Sequence, residues 1–160
     1  MSSKWDRYFM AMAEHAATLS KDESTKLGCV IVGPDNEVRS TGYNSFPRGI
    51  NDSMPERQQR PLKYKFFEHA ERNAIYNAAR VGIPLKGCRL YCAWPPCADC
   101  ARAVIQAGII EVVVREHAPE DRWLEDMQAA DMMLMEAGVA VRAMGYGETF
   151  NFELTEEALK

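Results

Sequence analysis

No apolar run in this sequence approaches the roughly 20 residues needed to cross a bilayer, and the opening MSSKWDRYFMAMAEHAA lacks the layout of a signal peptide. The expectation is a cytoplasmic protein with no membrane contact. A basic excess is also lacking. Lys and Arg total 19 against 23 Asp and Glu, a net charge of −4. Indiscriminate binding to a nucleic-acid polymer needs a strongly basic face, so that function class is excluded. Internal repeats and low-complexity tracts are absent. Histidine is scarce, with three, and the five cysteines contain a single CxxC spacing. Five thiols without an export signal make a poor disulfide framework and are better read as metal ligands plus small buried hydrophobes.

At 160 residues, 47% apolar and 26% charged, the chain reads as one globular domain over residues 1–160. Residues 5–19 show helical apolar spacing, with Ser2 or Ser3 available as a cap. KLGCVIVG and VRSTGYN read as two strands of a hairpin turning at PDNE. HAERNAIYNAARVG is a helix closed by Gly82 and Pro84, CRLYCAW a strand, and PCADCARAVIQAG a helix closed by Gly108. IIEVVV is a buried strand, EDRWLEDMQAADMMLMEAG a long amphipathic helix, and VAVRAM a last strand. Alternating strands and helices imply a central sheet with helices on both faces. Between hairpin and second helix, about residues 45–67, four prolines and glycines interrupt any period. So long an irregular connection is often functional. Residues 46–65 hold five basic residues (Arg48, Arg57, Arg60, Lys63, Lys65) against Asp52 and Glu56, so +3 locally and −7 elsewhere. That asymmetry suits a small phosphorylated ligand.

Chemistry is concentrated in two stretches. In PPCADC, Cys97 and Cys100 stand three apart at a predicted helix start, so both side chains leave one face, about 5–6 Å apart at Cβ. Two thiolates at that spacing suit one zinc ion, with Zn–S bonds of about 2.3 Å, and a helix N-terminus favours anionic sulfur. His15 lies within the first amphipathic helix and His117 in a turn, whereas His69 opens a helix. The simplest completion is His69 with Cys97 and Cys100, three ligands with one position open, as a catalytic zinc requires. Glu71, two residues after His69, then faces that position as the group that takes and delivers a proton. Cys29, Cys88 and Cys92 fall on strand patterns and read as packing. The Met132, Met133, Met135 cluster reads as core or subunit packing.

HAERNAI with PPCADCARAVIQAGI resembles the zinc-dependent cytidine/deoxycytidylate deaminase superfamily, whose signature is H-x-E followed by P-C-x-x-C. The likeness spans about residues 5–141. SKDESTKLGCVIVGPDNEV and GYNSFPRGIND are similar to the N-terminal hairpin and substrate loop of its deoxycytidylate (dCMP) branch. The resemblance implies a three-layer α/β/α sandwich on a mixed five-stranded sheet, a zinc cofactor, and hydrolysis of dCMP to dUMP and ammonia. It implies that Glu71 protonates N3 and then the leaving amine, and that Asn44 contacts the sugar. It places main-chain N–H groups such as those of Ala70 and Cys97 against the base. It also implies a homo-oligomer, dimer or hexamer. Arg48, just beyond Asn44, and Arg122 are the candidate phosphate ligands, because guanidinium binds phosphate bidentately. Residues 45–67 become a substrate-loop insertion. Ala93 and Trp94 stand where the family often has threonine, and Ser45 replaces a frequent glycine. Competing readings are deamination of free cytidine, a modified cytosine nucleotide or tRNA adenosine, and a zinc-stabilised module without catalysis. Free-nucleoside enzymes typically have cysteine at the position of His69, and tRNA enzymes a shorter connection before it.

Overall fold

The computed structural model describes residues 3–116 and 121–145. Helix α1 (Lys4–Ala17) starts from Ser3, whose hydroxyl accepts the Asp6 N–H while the Asp6 carboxylate accepts the Ser3 N–H, a capping box. Strands β1 (Gly28–Val32) and β2 (Val38–Tyr43) form the expected hairpin. Then come a 3-10 turn (Pro55–Gln58), the one-turn helix α2 (Lys63–Phe66), α3 (Ala70–Val81), β3 (Arg89–Cys92), α4 (Ala98–Gln106) and β4 (Glu111–Arg115). A second 3-10 turn (Asp121–Trp123) leads into α5 (Leu124–Glu136), and β5 (Ala140–Met144) closes the sheet. His117 and the terminal GETFNFELTEEALK lie outside the described residues. Among those described, no helix is long and apolar enough to cross a membrane.

The five strands run in the order β2-β1-β3-β4-β5. β1 is antiparallel to both neighbours, whereas β3, β4 and β5 are parallel, so the sheet is mixed as expected. Side chains alternate across the pleat and separate two cores. Cys29, Ile31, Leu90, Cys92, Val112 and Val114 meet α3, α4 and α5 on one face. Val30, Val32, Tyr91 and Val113 meet Phe9, Met10 and Ala13 of α1 on the other. Cys29, Cys88 and Cys92 are core residues. Of the methionine cluster, Met133 packs on the core, while Met132 and Met135 are exposed.

Helix α3 lies unusually close to β2. A Cβ at Gly42 would fall 2.4 Å from both the Ala70 carbonyl oxygen and the Ala74 nitrogen, so only glycine admits the helix at this distance. Ala70, Ala74 and Ala78 present the matching small face. The close seat fixes the height of the α3 N-terminus above the sheet. Gly82, in the left-handed region at φ 75°, ends the helix as expected.

The connection at 45–67 is an excursion closed at its root. Ser45 and Glu68 exchange two main-chain hydrogen bonds, 3.1 and 2.9 Å. It is less irregular than its prolines suggest, since it holds the 3-10 turn and α2.

Candidate active site

β2 and β3 point the same way, since each is antiparallel to β1. Their C-terminal ends feed the loops that carry Asn44 and the segment 93–97. In α/β sheets ligands bind outside the carboxyl ends of the strands, and a cavity sits there. His69 is the N-cap of α3 (φ −77°, ψ 156°) and Cys97 the N-cap of α4 (φ −71°, ψ 171°). Extended backbone at an N-cap turns the side chain over the first helical turn. There the two residues face each other, and Cys100, three residues into α4, joins them.

The His69 Nδ1 atom lies 3.4 Å from Cys97 Sγ and 3.5 Å from Cys100 Sγ. A tetrahedral ion with Zn–N of about 2.0 Å and Zn–S of about 2.3 Å requires N···S separations of about 3.5 Å. All three ligand atoms lie within 4.8 Å of one another, and this is the only such metal-ligating group among the described residues. The donor set, one imidazole and two thiols, therefore fits zinc. Its charges are already divided. Hydrogen bonding from Cys100 pulls the Cys97 thiol down to about 4, the same contact pushes Cys100 up, and the bond to Cys97 raises His69 to about 9. A cation displaces the remaining protons on binding.

Glu71 is 4% exposed on the first turn of α3 and lines the cavity beside His69 and Cys97. Burial raises its pKa, and the His69 charge opposes that shift. A carboxyl with a raised pKa is better placed to give back a proton near neutral pH. Ala70 and Trp94 also line the cavity. Asp126 of α5 accepts the Ala98 N–H at 2.9 Å and caps α4 beside the ligands.

Asn44 lines the cavity, but its amide is fully committed. It donates to Asp22 Oδ2 and the Thr25 carbonyl, and its oxygen accepts from the Leu27 N–H and the Ser20 hydroxyl. Two donors and two acceptor sites are all an amide has, so these four contacts fix the orientation of Asn44 in the cavity wall. Arg48 is not brought to this cavity. It is exposed on the outer side of α3, bonded to Asn77 Oδ1 at 2.5 Å, because the chain turns away directly after Ser45. Arg122 does reach the cavity, with Nη1 3.4 Å from the Tyr64 hydroxyl.

Two further cations line the cavity that sequence reading did not single out: Arg60 and Lys63. Lys63 is 7% exposed and pairs with Asp22 Oδ1 at 2.6 Å. Asp22 also accepts the N–H groups of Ser24 and Thr25, so one carboxylate ties the 20–27 loop to α2 and to Asn44. Local clustering of basic residues marked the segment. Nothing in its spacing marked Lys63 as the buried one.

Residues 3–116 match the family described as the cytidine and deoxycytidylate deaminase zinc-binding region. The chain belongs to that family. It is 40% identical over 143 residues to an uncharacterized deaminase in the luxG 3' region of Aliivibrio fischeri, covering 88% of this chain and 94% of the relative. It is 39% identical over 144 residues to the deoxycytidylate deaminase of Mus musculus, covering 87% and 79% respectively. The dCMP deaminase of cyanophage S-TIM5, solved with dCMP and dUMP, superposes with a TM-score of 0.73 at 26% identity, over 90% of this chain and 99% of that one. As a family of this kind implies, zinc is the cofactor, and His69, Cys97 and Cys100 are the residues whose geometry suits it.

Proposed function

We propose that this chain is a zinc-dependent dCMP deaminase, hydrolysing dCMP to dUMP and ammonia. The observation that carries the reading is one cavity lined by two unlike groups of side chains. One is His69, Cys97 and buried Glu71, with Cys100 beside them, and the other is Arg60, Lys63 and Arg122. The names of the relatives, deoxycytidylate deaminases and a structure with dCMP and dUMP bound, support the substrate. When bound by the three ligands, zinc supplies Lewis acidity that makes water a nucleophile near neutral pH. Glu71 takes one proton from the water that adds to C4 of the base and passes it to N3; it then takes the second from the C4 hydroxyl of the adduct and gives it to the amine, which leaves as ammonia while the C4 carbonyl forms. Its burial matters here, because the same carboxyl must accept and release a proton in each cycle. Trp94 and the apolar wall of Leu27 and Met127 exclude water from the base. Main-chain N–H groups at the two helix starts, Ala70 and Cys97, hold its polar edge. Arg122 with Arg60 and Lys63 holds the phosphate, a task for which Arg48 is wrongly placed.

The whole of residues 1–160 is taken as one deaminase domain, with 45–67 as its substrate insertion. Cytoplasmic location and a homo-oligomer, dimer or hexamer, complete the proposal; the exposed Met132 and Met135 on α5 support an assembly surface. Ammonia release should be measured for the zinc-loaded protein with dCMP, deoxycytidine, cytidine, a 5-modified dCMP and tRNA. Turnover of dCMP well above the others is expected. Inert dCMP alongside an active nucleoside or tRNA would overturn the substrate.

A further inference from the structure

A second groove lies beside the cavity, lined by Asp99 and Arg102 of α4. Six residues border both spaces: Tyr64, Phe67, His69, Cys97, Arg122 and Trp123. A residue that lines two cavities stands between them. His69 and Cys97 are metal ligands, so the rest of the division comes from the 45–67 insertion and from the turn before α5. Its centre is one aromatic pair. Tyr64 of α2 meets Trp123 edge to face, with ring centroids 5.8 Å apart at 86°, an arrangement that aromatic rings favour. Each ring also carries a cation. Arg60 lies 5.8 Å from the Tyr64 centroid and Arg122 5.6 Å from that of Trp123. Arg122 Nη1 donates to the Tyr64 hydroxyl as well, at 3.4 Å. The two arginines read above as phosphate ligands are therefore mounted on the two rings that close the cavity from the groove. Tyr64 is 47% exposed, so these partners rather than a core hold it in place.

We propose that Tyr64 and Trp123 are specificity-determining residues: they form a partition at the phosphate that restricts the substrate to a mononucleotide. A phosphate held by Arg60 and Arg122 stands against the rings, and any group esterified to it must pass where the rings meet. Charge acts in the same direction. A phosphate monoester carries about −1.5 to −2 at pH 7, which suits two guanidinium groups. A diester carries a single negative charge and leaves them undercompensated. Beyond the partition the groove offers Arg102 and enough room for a further nucleotide, so removing a ring joins the two spaces into one trench. The proposal rests on the dCMP reading above and adds to it the reason why a polynucleotide is refused.

The test compares dCMP with the dinucleotide d(TpC), whose linking phosphate is the 5′-phosphate of its cytosine nucleotide. Conversion of each to the uracil product is followed by chromatography on the zinc-loaded full chain. The parent is expected to turn over dCMP and to leave the dinucleotide almost untouched. Tyr64→Ala and Trp123→Ala should each raise the ratio of kcat/KM for d(TpC) to that for dCMP by about tenfold or more, the discrimination that a small steric change supplies. General damage to the fold lowers both rates and does not move that ratio. A ratio within about twofold of the parent's in both variants would overturn the partition, as would a parent that deaminates d(TpC) as well as dCMP. Should Trp123→Ala fail to fold, the exposed Tyr64→Ala decides the matter alone by the same ratio. A parent inert toward dCMP would overturn the substrate reading itself, a result distinct from an active enzyme indifferent to the two rings.

Discussion

The two groups of side chains at the cavity are positioned by different means. At the metal site every functional group belongs to the start of a regular helix: His69 and Cys97 are N-caps, and Glu71 and Cys100 lie in the first turns. Gly42 and Ala74 seat the first of these helices on the sheet. In the cation group the residues come from three separate connections, around residues 22, 60–64 and 122, and are held by side chains, chiefly Asp22 and Asn44. Helix starts fix a side chain through backbone geometry that nearby sequence dictates. Connections need long-range polar contacts to do the same.

Glu71→Gln should separate chemistry from architecture at the metal site. Turnover should drop about 10²–10⁴-fold, while zinc content and the melting temperature stay unchanged. Unchanged turnover, measured as ammonia release, would remove the proton-transfer role. Gly42→Ala attacks the seat of the same helix without touching a functional group. Its new Cβ meets main chain at 2.4 Å, so α3 must lift. Displacement of about 1 Å at a catalytic group costs roughly 100-fold in rate, and kcat should fall together with thermal stability.

The cation group should respond differently. Lys63→Met leaves the buried Asp22 carboxylate without its cation, a change that costs about 3–5 kcal/mol of stability where the pair is truly buried. Denaturant unfolding reads that loss. A KM for dCMP that rises more than kcat falls would place Lys63 at the phosphate as well. Arg122→Ala should raise KM for dCMP about tenfold, the size of one charged contact of roughly 1.4 kcal/mol, with deoxycytidine unaffected. Arg48→Ala should change neither beyond twofold. Equal effects of the two arginines would contradict their placement.

The smallest effect concerns acid stability. Burial tends to raise the Asp6 carboxyl, but Arg142, Ser3 and Tyr91 outweigh it and hold the group at about 2, below its ordinary 3.8. Asp22 is likewise lowered, its burial outweighed by Lys63 and the N–H groups around it. A carboxyl lowered by folding stabilises above its unfolded pKa, and this contribution is lost as pH falls through the folded one. Melting temperature should therefore hold above pH 4 and decline from about 4 toward about 2. Arg142→Gln, which removes the cation that Asp6 shares with Glu111 and leaves Asp22 its own, should flatten that decline without altering zinc binding.

The elements were largely legible because their signals are local. Short apolar runs bounded by turn residues placed the five strands, and Gly82 marked the end of α3 through the left-handed backbone it adopts. The 45–67 segment was legible as an excursion but not as structure, since α2 spans one turn and depends on the Lys63–Asp22 pair, 41 residues apart. That Arg48 lies outside the cavity was not legible for the same reason. Nearness to Asn44 in sequence says nothing about which way the chain turns after Ser45. Asn44 is the subtler case: sequence marked it as important, and the structure adds the polar contacts with Asp22, Thr25, Leu27 and Ser20 that hold it in the cavity lining.

What the amino-acid order by itself pointed to is Cys97 and Cys100 as a candidate ligand pair, because helix periodicity converts a spacing of three residues into a shared direction. What only tertiary structure decided is which cations share the cavity with the metal site. Their meeting depends on long-range ion pairs and on how closely α3 lies on β2, and neither follows from any short stretch of chain.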